Sequence, residues 1–172
     1  MKHFNFLCMA IQLSIRNLWS VIEPPPKSDI CIADINQAFT DSKEITSWLA
    51  NKKYEQISEG NEIETYMPFY YLSHKSSAYY MAGYMNYILT EYTNDPIHIT
   101  QLFGFDHLLD FMISSQFNNV FSRLTENQKI IVLAFLELVL ALRLNDLINE
   151  KIESALIKIV ELNPENRAVS QL

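Results

Sequence analysis

Apolar residues recur every three or four positions along most of this chain, which is the spacing that buries one face of a helix. The first such stretch runs from about His3 to Ile22. The triple proline Pro24–Pro26 ends it, because proline donates no backbone hydrogen bond and restricts the residue before it. Alternation at period two, the strand pattern, is confined to Ile30–Ile32. The pattern predicts an all-α fold.

Cap residues predict where several later helices begin. Ser73 marks the start of a long helix, and a further helical region is expected to be interrupted near Gly104. Thr125 and Gln128 have the spacing of a capping box in front of a strongly apolar run. Asn145 stands where it can cap the last helix. These signals divide the chain into successive helices.

The number and length of these units predict a compact bundle of about seven to eight helices. The most apolar helix, at about 126–144, is expected to lie at its centre. The chain has only 3 glycines among 172 residues, far fewer than folds rich in tight turns require. Residues 1–22 are predicted as an N-terminal helix, 23–27 as a proline linker and 28–172 as a helical domain, with a single domain overall.

Charge excludes one class of partner. The sequence has 20 acidic and 13 basic residues, for a net charge of −7. From Ser76 through Ser122 there is no lysine or arginine. Because a nucleic-acid groove needs clustered cations, direct DNA or RNA binding is not expected. The acidic balance favours a basic partner instead.

Motifs for nucleophilic or phosphate chemistry are absent from the sequence. There is no Gly-x-Ser-x-Gly elbow, no phosphate-binding glycine loop and no His-Glu-x-x-His pattern. Such residues would supply a nucleophile, a cradle for phosphate or a zinc site. We therefore predict a protein that is not an enzyme and that has no cofactor.

Two further features bear on location. Cys8 and Cys31 sit among apolar neighbours, where free cysteine behaves as a small hydrophobe, and two cysteines make no disulfide framework. The apolar run from Ile130 to Leu142 is interrupted by Glu137 and is shorter than a membrane span. The sequence predicts a cytoplasmic protein with no membrane partner.

Histidines provide the alternative hypothesis, an uncharacterised helical enzyme or metal-binding protein built around His74, His98 and His107. Asp106 and Asp110 flank His107 at helical spacing, which brings side chains to one helix face. Such spacings also arise by chance in an acidic helical protein. The primary prediction therefore includes no metal site.

Tyrosine is concentrated in one region. Eight of the nine tyrosines lie between Tyr66 and Tyr92. One interpretation is a central helix whose tyrosine hydroxyls reach the surface. The other is a partner-binding surface, because tyrosine is enriched and lysine depleted at interfaces.

Residues 71–73, 79–85 and 121–125 resemble a family of small bacterial helical domains of unknown function. Those domains carry an aromatic-Leu-Thr-Pro-Glu helix start followed by a Tyr-Tyr-Leu-Pro-Ala-Tyr segment. The similarity spans roughly residues 32–142 and departs from the pattern at His74 and Ala82, where the family has proline. The family has no established catalytic residues to transfer. Together with the composition, the resemblance suggests an immunity protein.

The leading hypothesis is a non-enzymatic acidic protein-binding module, a bacterial immunity protein that neutralises a cognate toxin by occluding a basic domain. A homodimer that exchanges the N-terminal helix is a further possibility. The predicted partner-binding residues are the acids and tyrosines near the cation-free stretch: Glu55, Glu59, Glu62, Glu64, Tyr66, Tyr70, Glu91, Asp95, Asp106 and Asp110.

Overall fold

A computed structural model describes residues 2–32, 40–58, 68–94 and 103–162. These ranges contain seven α-helices: α1 Lys2–Trp19, α2 Thr40–Leu49, α3 His74–Asn94, α4 Phe103–Ile113, α5 Gln116–Phe121, α6 Glu126–Ala141 and α7 Asp146–Leu162. Three 3-10 segments accompany them, at Lys27–Asp29, Tyr54–Ser58 and Pro68–Tyr70. Within the described ranges, β structure is limited to an isolated antiparallel bridge between Cys31 and Leu72. The all-α prediction is confirmed.

Helix starts follow the predicted caps. Thr125 Oγ1 accepts a hydrogen bond from the Gln128 amide at 3.3 Å, and Gln128 Oε1 accepts one from the Thr125 amide at 2.9 Å. Asn145 Oδ1 accepts from the Ile148 amide at 2.9 Å. Ser73 directly precedes α3. Each cap satisfies an amide that the first helical turn would otherwise leave unpaired.

The interruption predicted near Gly104 falls beside the start of α4 at Phe103, and residues 95–102 before it lie outside the described ranges. A further break lies between α4 and α5, where the Ile113 and Ser114 carbonyls accept hydrogen bonds from Lys158 Nζ. An ammonium group at a helix C-terminus satisfies free carbonyls and is favoured by the helix dipole. This contact from α7 adds to a local one at the end of α4, where Ser114 Oγ donates to the Phe111 carbonyl at 2.7 Å.

The centre of the bundle is occupied by α3 rather than by the helix expected at 126–144. The unbroken run Tyr79–Met85 is buried, so α3 is enclosed on every side. By contrast, α6 leaves Ile130 58% exposed and Glu137 open to solvent. It also stops at Ala141, before the predicted end. Around α3 lie α1, α4, α5 and the Tyr54–Ser58 segment.

Helix α1 packs on α3 and α6 of the same chain. Trp19 Nε1 donates to the Ala78 carbonyl at 2.9 Å, and Gln12 Nε2 donates to Thr90 Oγ1 at 2.9 Å. Since later residues of α1 meet earlier residues of α3, the two helices are antiparallel. The buried face of α1 comprises Cys8, Ile11, Ile15 and Trp19.

Candidate functional site

Half of the predicted partner-binding residues can be placed. Glu55, Tyr70, Glu91, Asp106 and Asp110 lie within the described ranges. The other predicted contacts lie outside the described residues: Glu59, Glu62, Glu64, Tyr66 and Asp95.

The placed residues come from several elements rather than from one. Glu55 belongs to the 3-10 segment that contacts α3 at Gly83. Glu91 lies further along the same helix by about 12 Å, at roughly 1.5 Å of rise per residue. Tyr70 is 49% exposed at the end of another 3-10 segment. The placed residues therefore lie on α3, on α4 and on two 3-10 segments.

Asp106 and Asp110 bind a lysine of their own chain. Lys151 Nζ on α7 lies 2.6 Å from a carboxylate oxygen of Asp106 and 2.7 Å from one of Asp110. Burial opposes the charge on Lys151, but the hydrogen bonds and charges of the two carboxylates prevail and raise its pKa. The ammonium thus bridges the two carboxylates.

Two of the three histidines of the alternative hypothesis can be placed. His74 is the first residue of α3, His107 is buried within α4, and His98 lies outside the described residues. Burial lowers the pKa of His107, while Asp106 and Asp110 partly oppose that shift. In the part of the chain that the structure describes, no three His, Cys, Asp or Glu side chains are grouped to hold a metal ion.

The tyrosines of α3 belong to the core. Tyr79, Tyr80 and Tyr84 are at most 4% exposed. Tyr80 donates its hydroxyl hydrogen to the Leu49 carbonyl at 3.0 Å, and the Tyr79 hydroxyl accepts from the Tyr54 amide at 3.3 Å. Burial raises the pKa of all three phenols. One interpretation of the sequence had these hydroxyls at the surface; instead all three are buried, and those of Tyr79 and Tyr80 join α3 to its neighbours.

An apolar surface lies on α1, opposite its buried face. Phe6, Met9 and Leu13 are 67%, 64% and 57% exposed and recur at three- and four-residue steps; we call them the α1 row. A groove of about 400 Å³ runs between α1 and α6. Its walls are mostly apolar: Phe4, Leu7, Ala10, Ile11, Ser14, Ala134, Glu137, Leu138 and Ala141. The apolar periodicity of the sequence predicts one buried face of this helix and does not indicate an exposed apolar row.

A second cleft lies at the start of α3, where two cavities of about 280 and 450 Å³ share Lys75 and Arg123 in their walls. We call the pair the α3 cleft. Lys75 and Arg123 are also the residues that border the cation-free stretch of the sequence. Their positions in the sequence gave a signal, but their convergence depends on the tertiary fold.

These features define an all-α protein whose described residues form, among other depressions, the groove between α1 and α6 and the α3 cleft. The chain belongs to DUF6714, a family of unknown function whose model matches residues 15–159. An uncharacterised family was expected from the residues. No curated protein and no solved structure matches the chain. No helix in the described ranges has both the length and the apolar character needed to cross a membrane.

Proposed function

We propose that this chain is a non-enzymatic protein-binding module whose partner is a basic protein. The α1 row carries the proposal. Three large apolar side chains stand in water on a helix whose opposite face is anchored in the core. Contiguous exposed apolar side chains are typical of protein interaction sites, and aromatic and methionine side chains are enriched there.

The groove beside the α1 row extends the surface. It is wide enough to receive side chains of a partner, and its walls are largely apolar, with the exposed Glu137 at the edge. Apolar side chains inserted into such a groove would be desolvated, which is where interface residues contribute most to affinity. This favours a protein partner over a free ion.

The negative net charge of the chain favours a positively charged partner. The net charge of −7 attracts a basic protein and speeds its encounter without adding much to the final affinity. Glu55 and Glu91, both partly exposed, are candidate contributors, and Tyr70 adds an exposed aromatic ring. Asp106 and Asp110, which bind Lys151, would contribute less.

The more specific proposal is a bacterial immunity protein that occludes a cognate toxin in the cytoplasm. Occlusion requires only a complementary surface, and it fits a family with no assigned chemistry. The negative charge suits a toxin that acts on nucleic acid, because such a toxin carries a basic surface.

Calorimetric titration with the purified basic protein encoded beside this chain tests the proposal. Leu13→Asp should weaken binding about tenfold or more, because a charge in a desolvated contact is costly. Leu147→Asp is the matched control on α7, since Leu147 is 64% exposed and lies off the α1 row. It should change the affinity less than about twofold.

Charge reversal tests the electrostatic part separately. Glu55→Lys and Glu91→Lys should slow association and make it less sensitive to salt, while Glu150→Lys on α7 serves as the control. Absence of any complex, or equal effects of Leu13→Asp and Leu147→Asp, would contradict the proposal. Thermal unfolding of each variant confirms that it remains folded.

A further inference from the structure

We propose that the α3 cleft binds a small amphiphilic anion, with a carboxylate or phosphate group between Lys75 and Arg123 and an apolar group in the smaller cavity. This site is independent of the α1 row and of the proposed protein partner.

The ion pairs of the described residues leave both cations of the cleft unused. Among the described residues neither Lys75 nor Arg123 forms an ion pair, whereas Lys129 and Lys151 do. Both side chains are exposed at the rim of the cleft. They can turn toward a bound anion without giving up a carboxylate.

The cleft is less acidic than the molecule around it. The same two cations, Lys75 and Arg123, line both cavities, with Glu23 in the smaller cavity and Asp29 in the larger. The Asp29 carboxylate already accepts a hydrogen bond from Ser28 Oγ at 3.0 Å. On a chain of net charge −7, a cleft whose two cations balance its two carboxylates repels an anion less than an acidic surface does.

The smaller cavity supplies the apolar part of the site. Ala78, Tyr79 and Leu124 contribute to its walls, together with Ile22 and Pro25. Its volume of about 280 Å³ lies near the lower end of ligand pockets, which typically span roughly 300–1,000 Å³. It therefore suits one ring or a short acyl chain rather than a nucleotide.

Both cations stand on fixed backbone. Lys75 lies in the first turn of α3, and Ser73 Oγ ties that turn to the Asp29 carbonyl at 2.6 Å. Arg123 lies in the turn between α5 and α6, where its amide donates to the Val120 carbonyl at 3.0 Å. The Thr125 capping box follows at once and fixes the start of α6. A site supported in this way loses little flexibility on binding.

Titration by NMR and calorimetry with phenyl phosphate, benzoate, phenol and inorganic phosphate tests the site. Phenyl phosphate or benzoate should bind saturably and at least about tenfold more tightly than phenol or inorganic phosphate. Whichever of the two binds better identifies the phosphate or the carboxylate as the preferred head group.

Variants locate the binding. Lys75→Gln and Arg123→Gln should each weaken the better probe about tenfold, and the double variant should abolish saturation. Lys53→Gln, at an exposed lysine away from the cleft, should bind as the native chain does. Retained binding in the double variant, or equal binding of inorganic phosphate and phenyl phosphate, would overturn the proposal. Unchanged melting temperatures separate loss of the site from loss of the fold.

Discussion

Two helix contacts in this molecule are built on opposite principles. Where the Tyr54–Ser58 segment crosses α3, the backbones come so close that a Cβ at Gly83 would lie 2.4 Å from the Tyr54 carbonyl oxygen and 2.8 Å from Ile57 Cβ. Where α7 meets α4, Lys151 reaches Asp106 and Asp110, and Lys158 reaches the carbonyls at the end of α4.

The difference lies in what water can do at each contact. Tyr54, Ile57 and Gly83 are buried, so shape alone decides whether the segment fits. At the second contact the side chains of Lys151, Asp106 and Asp110 remain 20%, 40% and 32% exposed. Solvent and salt therefore screen the charges, and the contact should respond to conditions that leave the first unchanged.

The largest expected effect is at Gly83. Gly83→Ala should destabilise the fold by about 2–3 kcal/mol, because the added methyl group must displace backbone and a buried side chain. The better helix propensity of alanine offsets only about 1 kcal/mol. Urea unfolding measures the loss, with Asn94→Ala at an exposed position of α3 as the control. A native-like midpoint for Gly83→Ala would contradict the close approach of the two backbones.

Lys151→Met should cost about 1–2 kcal/mol, because it leaves two carboxylates one helical turn apart without their shared cation. The loss should shrink in about 1 M salt, where the Debye length falls to roughly 3 Å. The Gly83→Ala loss should not shrink. Equal salt dependence of the two variants would remove the distinction between the contacts.

The native chain and Lys151→Met should also differ in how their stability depends on pH. The pKa of Lys151 is raised above its usual 10.5 in the folded state. Its stabilising contribution is therefore complete below that value and is lost as the pH rises through the folded pKa. The difference in unfolding free energy between native chain and Lys151→Met should stay constant to about pH 10 and then decrease. Taking the difference removes the contribution of the buried tyrosines, whose phenols ionise near pH 10 in the unfolded chain but have a raised pKa in the folded one.

The smallest expected difference in stability is between phenylalanine substitutions at two tyrosines of α3. Tyr80→Phe removes a hydrogen bond to the Leu49 carbonyl and should cost about 1 kcal/mol. Tyr84→Phe should be neutral or slightly stabilising, because among the described residues nothing pairs with the Tyr84 hydroxyl, which is fully enclosed. Chemical denaturation of the two variants checks the order. A larger loss for Tyr84→Phe would indicate an acceptor for that hydroxyl.

Local signals in the sequence predicted local structure well. The capping box at Thr125 and the cap at Asn145 depend on residues within one turn, and both form as expected. The apolar periodicity gave the all-α class. The prediction of the central helix was wrong because it rested on hydrophobicity alone, which favours 126–144. The small side chains of Ala82 and Gly83 let neighbouring elements pack close to α3 and surround it.

The candidate sites were harder to predict because they depend on long-range contacts. The sequence predicts Asp106 and Asp110 as surface acids available to a partner, whereas in the fold both carboxylates pair with Lys151. Lys75 and Arg123 are far apart in the sequence, and only the packing of α3 beside the α5–α6 turn places them around one cleft. The exposure of the α1 row could not be predicted either, because apolar residues occur on both faces of α1.

During synthesis, α1 leaves the ribosome long before the helices that cover it. The hydrogen bond of Trp19 cannot form until Ala78 has been synthesised, and the groove beside α1 cannot form until Ala134 and Leu138 of α6 have been. Until those residues emerge, both apolar faces of α1 remain open to water, to chaperones and to other nascent chains. Helix α1 is thus synthesised long before its core face and its groove are covered, so chaperone supply should affect the yield of folded protein in cells.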